Sequence, residues 1–166
     1  MKIAIYGQYY QNSTEPIIRD IFVFFNQNQV ELVIEAEFLQ LLYDKKIVQK
    51  PYKTFSSHEE LDASFDMLLS IGGDGTILRA ATWVRDSGIP ILGVNAGRLG
   101  FLATVPKDDI ASFLQLVIEK KYTISERSLL SLECFPENPD IQQLNFAMNE
   151  ITVSRKDTTS MITIDT

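Results

Sequence analysis

Gly72-Gly73-Asp74-Gly75-Thr76 sets three glycines around one carboxylate. The stretch closes an apolar run, Met67-Leu68-Leu69-Ser70-Ile71, and opens a helical pattern from Ile77 to Val84. Glycine lets a backbone approach a ligand closely. A helix N-terminus adds unpaired N–H groups and the positive end of a dipole, both suited to phosphate oxygens. A carboxylate among such donors suits a metal ion or the proton of a hydroxyl nucleophile. The chemistry this combination points to is phosphoryl transfer to an alcohol. The same residues also read as a tight turn whose aspartate caps the following helix.

Two further constellations carry polar groups in glycine-rich or irregular settings. Asn95-Ala96-Gly97-Arg98-Leu99-Gly100-Phe101-Leu102 follows a buried run and offers an amide that can both donate and accept, and a guanidinium for phosphate or carboxylate. Its Leu99, Phe101 and Leu102 are expected to pack as core. At Asn149-Glu150 an alternating apolar pattern, Leu144, Phe146, Met148 and then Ile151, Val153, slips by one residue. Such a slip fits a β-bulge that turns two polar side chains the same way, or an edge irregularity. His58, the single histidine, reads as a solvated surface residue, and Cys134, the single cysteine, as a small core residue.

These residues need a scaffold, and the chain supplies one in order. Ile3 and Ile5 lie in a short buried strand ending at Gly7. The later glycines of a dinucleotide fingerprint do not follow Gly7. Ser13 or Thr14 can cap a helix with Pro16 in its first turn and Ile17, Ile18, Ile21, Phe22 and Phe25 on one face. Val30 to Ile34 is a second strand, and Phe38, Leu41 and Leu42 mark a short helix. Ile47 to Phe55, broken by Pro51, reads as irregular, and Ser57 with Glu60 has capping-box spacing. The unalternating run Met67–Ile71 suits a strand covered on both faces. Its helix is expected to end at Ser87-Gly88, before a strand at 90–94. Ile110, Phe113, Leu114, Val117 and Ile118 form an amphipathic helix opened by Asp108 and Asp109 and finished at Glu119-Lys120-Lys121.

Alternation of strand and helix over residues 1–121 predicts an α/β domain, a mostly parallel sheet with helices on both faces. Ligands of such sheets bind beyond the carboxyl ends of the strands, where residues 72–76 and the segment after Val94 both fall. From 122 to 166 four strand-like segments (122–126, 129–135, 144–153 and 161–166) follow with no helix between them. They read as the beginning of an all-β second domain that is cut short, since a few strands with an open edge do not complete a domain.

Composition limits the alternatives. A net charge of −7 and a pI near 4.7 argue against a nucleic-acid surface, while leaving room for a local basic pocket. No apolar run is long enough to span a bilayer, and a single cysteine makes neither an intrachain disulfide nor a cysteine metal cluster. The expectation is a cytoplasmic protein without membrane or nucleic-acid partners.

With Gly72–Thr76, Asn95–Leu102 and Asn149-Glu150 in that order, the chain resembles the NAD kinase family over essentially all its 166 residues. The resemblance implies transfer of a phosphoryl group from ATP, with Mg²⁺ or another divalent cation, to the 2′-hydroxyl of the adenosine ribose of NAD. It makes Asp74 the general base and puts Gly73 and Gly75 in the NAD site, with Gly75 as its backbone partner. Arg79 falls at another NAD contact, Asn149 and Glu150 match the pair that holds the dinucleotide, and Asn95 and Gly97 line the same cleft. It also implies a homo-oligomer, dimer or tetramer, and a further glycine- and threonine-rich motif that does not follow Thr166. The 166 residues would then hold about half a site and have little activity alone. Lipid and sugar kinases share similar Gly-Gly-Asp-Gly turns, but the Gly-Thr-x-Asn-Asp segment expected of lipid kinases is missing. A non-catalytic nucleotide-binding module is the remaining alternative.

Overall fold

The computed structural model of the chain describes residues 1–7, 14–96, 100–103, 105, 110–154, 161 and 163. Two compact units result, Met1–Ile124 and Ser125–Thr166.

The first unit is built on five parallel strands: β1 (Lys2–Gly7), β2 (Glu31–Glu35), β3 (Lys53–Phe55), β4 (Met67–Gly72) and β5 (Ile91–Asn95), in the order β3-β2-β1-β4-β5. Side chains alternate across a strand, so each apolar run feeds two cores. Ile3, Ile5, Leu32, Ile34, Met67, Leu69 and Ile71 face one cluster, closed by helices α1 (Glu15–Gln27), α2 (Ala36–Asp44) and α4 (Ile110–Ile118). Ala4, Tyr6, Val33 and Leu68 face the other, with Ala80 and Val84 of α3 (Asp74–Val84) and Phe55, Leu61 and Phe65. A doubly covered parallel sheet is thereby established, as the strand-helix alternation predicts.

Local signals act where expected. Ile17, Ile18, Ile21, Phe22 and Phe25 of α1 are buried and Pro16 lies in the first turn, while Thr14 holds the N-cap position without a side-chain capping bond to the helix. The Glu60 carboxylate accepts the backbone N–H groups of Ser56 and Ser57 at 2.8 and 2.9 Å, holding a single 3₁₀ turn at His58–Glu60. His58 itself is half-buried, not fully solvated. At the end of β2, the buried Glu35 carboxylate accepts the N–H groups of Glu37 and Phe38 at 3.0 and 2.8 Å and so opens α2. Ser13, Asp108 and Asp109 lie outside the described residues.

Three further expectations need correction in this unit. The segment read as irregular contains β3, which pairs with β2 through Val33–Lys53, Ile34–Thr54 and Glu35–Phe55, and it buries Ile47, Val48 and Phe55. Only pairing with the sheet edge makes so polar a run a strand. The third helix stops at Val84, three residues before Ser87, because Arg85 takes a left-handed φ of 51° while its N–H donates to the Ala81 carbonyl at 2.8 Å. Gly88, at φ 74°, serves the turn into β5 instead. Phe101, expected in the core, is 95% exposed, and Leu102 is half-buried. Leu99 lies outside the described residues.

The second unit departs further. Its described strands are two residues each, β6 (Leu130–Ser131) and β7 (Phe146–Ala147), paired antiparallel, with helix α5 (Pro139–Gln143) between them. Asn138 accepts the Asp140 N–H at 2.9 Å, and Pro139 opens the helix, a start signal the sequence carries but alternation overshadows. Residues 122–126 are not a strand, and 161–166 lie largely outside the described residues. Leu130 is exposed and Cys134 half-buried, because a two-stranded pair has no second layer among the described residues to pack on.

Candidate functional site

The strand order places the reversal of connection between β1 and β4. The crossover after β1 runs to the face of α1, and that after β4 to the face of α3. At such a switch point the loops diverge and leave a crevice at the carboxyl edge. Gly7 and Gly72 end the two strands that flank it.

Gly72 and Asn95 are register partners across β4 and β5, and the Ala96 N–H donates to the Gly72 carbonyl at 3.2 Å. A Cβ at Gly72 would strike the Thr76 side chain, so the fold itself requires glycine there. Gly73 is the extended N-cap of α3, and its carbonyl accepts from Thr76 and Ile77 at 3.0 and 3.3 Å. Helix geometry leaves the N–H groups of Asp74 and Gly75 without intrahelical acceptors. At Gly73 and Gly75 an added Cβ would meet no heavy atom within 4 Å. No packing contact among the described residues explains those two glycines.

Asp74, half-exposed in the first turn of α3, does not cap its own helix. Its Oδ2 accepts the Phe101 N–H at 2.8 Å, and its Oδ1 accepts those of Leu102 and Ala103 at 2.9 and 3.1 Å. These three donors, Leu102 foremost, hold the Asp74 carboxyl below the usual carboxylate range, so it is ionised at neutral pH. Gly100 lies so close that a Cβ there would run into the carboxylate. The segment then returns to the sheet, where Val105 bridges Val94 in parallel and its N–H donates to Gly93 at 3.3 Å.

Other candidate residues fall around this core. Asn95 is buried at the end of β5, whereas Arg79 is exposed on α3 and makes no ion pair among the described residues. Its charge reaches Tyr6, whose phenol is raised by burial and lowered in part by the Trp83 indole N–H and by Arg79. Gly73, Asp74, Gly75, Arg79 and Asn95 are thus brought to one edge of the first unit. Asn149 and Glu150 belong to the second unit, where both are exposed. They follow the end of β7 at Ala147, so the phase slip marks a strand end and not a bulge within a continuing strand. Gly97 and Arg98 lie outside the described residues.

Sequence periodicity misses Phe101. An exposed phenyl ring whose own N–H binds the Asp74 carboxylate is a surface that an aromatic or apolar group can cover. No periodic signal could have found it, because its exposure follows from hydrogen bonds to Asp74 that span 27 to 29 residues. The described residues hold no cluster of three His, Cys, Asp or Glu arranged for a metal ion, and no helix among them is long and apolar enough to cross a membrane.

The family model for the ATP-NAD kinase N-terminal domain matches residues 9–122. The chain is 69% identical over 166 residues to an NAD kinase of Flavobacterium johnsoniae and 65% identical to one of Flavobacterium psychrophilum, in each case over 100% of this chain and 56% of the relative. It therefore spans about half the length of the curated relatives it matches. Among solved structures, yeast NADH kinase complexed with NADH superposes with a TM-score of 0.68 at 19% identity, over 83% of this chain and 44% of that one, a likeness of fold.

Proposed function

The chain belongs to the NAD kinase family, and from that premise we propose that the whole protein transfers the terminal phosphoryl group of ATP to the adenosine 2′-hydroxyl of NAD, forming NADP. The observation that carries this reading is the edge of β4, where open glycines at 73 and 75 meet an ionised carboxylate at a helix N-terminus. Open glycine positions admit a ligand's phosphates to main-chain N–H groups, and the helix dipole favours their charge.

Asp74 takes the nucleophile. A carboxylate has about four acceptor positions, and three are used by the 101–103 backbone. The position left over on Oδ2 suits one hydroxyl. A depressed pKa makes Asp74 a weak base, which suits a loose phosphoryl-transfer transition state in which the nucleophile is little deprotonated. Orientation of the hydroxyl is then the larger contribution, and the proton passes to Oδ2 as the P–O bond forms.

Gly73 and Gly75 line the dinucleotide site, Arg79 contributes positive charge to it, and Asn95 stands beside Gly72 at the end of the neighbouring strand. Asn149 and Glu150 are exposed in the second unit and carry an amide and a carboxylate suited to ribose and base edges, as the family resemblance implies. A divalent cation fits this donor set as a companion of the ATP phosphates, since Mg²⁺ is commonly bound by substrate phosphates and water with few carboxylates. When bound it would neutralise charge on the phosphoryl oxygens. The family resemblance supports action in the cytoplasm as a homo-oligomer.

The test is NADP formation by the full-length protein from NAD, ATP and Mg²⁺, with Asp74→Asn beside the parent. Turnover is expected to fall by roughly 10²–10⁴-fold, the usual worth of general-base assistance. NAD affinity should change by no more than a few fold. Equal turnover in the two proteins would remove Asp74 from the chemistry, and diacylglycerol or fructose 6-phosphate accepted in place of NAD would overturn the substrate.

A further inference from the structure

We propose that Asp74 is a positioning residue for the 100–103 loop, with its two oxygens divided in role: Oδ1 anchors the backbone at Leu102 and Ala103, and Oδ2 is the oxygen left for the substrate hydroxyl. The role of Oδ2 rests on the kinase reading; the anchoring role of Oδ1 does not. Both acceptor positions of Oδ1 are occupied, at 2.9 and 3.1 Å, whereas Oδ2 takes a single N–H at 2.8 Å. Each contact crosses 27 to 29 residues of sequence, so the carboxylate ties the start of α3 to a segment that local structure does not hold.

The loop is shaped to receive it. Consecutive N–H groups converge on one anion, an arrangement that backbone concavities provide for charged ligands. Here the anion is the protein's own side chain. Gly100 passes so near the carboxylate that no side chain fits between them. Farther along, Val105 is fixed by its bridge to β5. With its own N–H held by Asp74, Phe101 is 95% exposed, a placement its apolar character alone opposes. Charge-assisted hydrogen bonds, roughly twice as strong as neutral ones, offset that exposure.

Different substitutions separate the two oxygens. In Asp74→Asn, the remaining carbonyl oxygen is favoured at the Oδ1 position, facing two donors, and the amide NH₂ then opposes the Phe101 N–H. Asp74→Ala removes both acceptors. Gly100→Ala perturbs the anchor from the loop side with Asp74 intact. Amide hydrogen exchange of Phe101, Leu102 and Ala103, read by NMR on the protein with thermal unfolding as a control for folding, tests the division.

Exchange at all three amides should quicken by about 10- to 100-fold in Asp74→Ala, the factor expected for losing a charge-assisted hydrogen bond. Asp74→Asn should lose protection at Phe101 while keeping it at Leu102 and Ala103. Gly100→Ala should reproduce the alanine pattern. Steady-state kinetics should follow, with KM for NAD rising in Asp74→Ala but not in Asp74→Asn. Unchanged exchange at residues 101–103 in Asp74→Ala, in a protein that remains folded, would overturn the anchor. If instead exchange quickens in Asp74→Ala while Asp74→Asn keeps full turnover, the anchor stands and the general-base reading falls.

Discussion

Replacing Gly75 with alanine should stabilise the fold while weakening nucleotide binding. The second residue of α3 has no left-handed φ, and a Cβ there meets no heavy atom within 4 Å. Alanine therefore costs nothing in contacts, and it restricts the unfolded chain. The expected gain is about 0.4–1 kcal/mol, which raises Tm by about 1–4 °C at the size scaling of a chain of this length. The same methyl group projects into the space where a ligand backbone or phosphate would lie. Intrusion of one methyl into a fitted contact costs about 1–3 kcal/mol, equivalent to about 5- to 150-fold in Kd. Trp83, the single tryptophan, packs against Tyr6 and Phe55 at ring-centroid distances of 6.0 and 5.3 Å, so its fluorescence reports unfolding of this unit. Calorimetry with NAD and with ATP gives the affinities. Gly93→Ala supplies the contrast: its Cβ would collide with Ile77 and crowd the Ala103 backbone, so it should lower Tm. A lower Tm for Gly75→Ala would show that the open space is wrongly assigned. Unchanged affinity for both nucleotides would show that this glycine does not serve a ligand.

Acid should erode one contribution of Asp74. Its folded-state pKa is depressed by the three loop N–H groups, so its stabilisation is present above the unfolded value of about 3.9 and is lost as pH falls through the folded one. The stability gap between the parent and Asp74→Ala, measured by urea denaturation, should accordingly narrow as the pH falls below about 3.9; a gap that stays constant there would contradict the hydrogen-bond assignment. Ser70→Ala should raise stability by about 1–3 kcal/mol, the desolvation penalty of an unpaired buried group, because the Ser70 hydroxyl is 1% exposed and has no hydrogen-bond partner among the described residues. A loss of stability in the same denaturation assay would mean that the hydroxyl has a partner.

By itself the sequence determined the parts of the molecule whose cause is local. Unalternating apolar runs at Met67–Ile71 and around Ile3 and Ile5 demand cover on both faces, and five residues at helical spacing demand that α1 lie on a core. The turn at Gly72–Thr76 had to end a strand and start a helix, which puts Asp74 at a carboxyl edge on local signals alone. Pairing decided the rest. β3 exists because β2 offers it hydrogen bonds, not because its residues ask for a strand. Alternation in the second unit named strands that its described residues mostly do not form, since alternation reports a preference and pairing needs a partner. The Asp74 carboxylate looked like a cap for its own helix or a free base. Tertiary structure gave it three donors from residues 101–103, and in the same step turned Phe101 from expected core to exposed surface. A hydrogen bond spanning 27 residues leaves no trace in periodicity, because only the closing of the loop onto β5 brings donor and acceptor together.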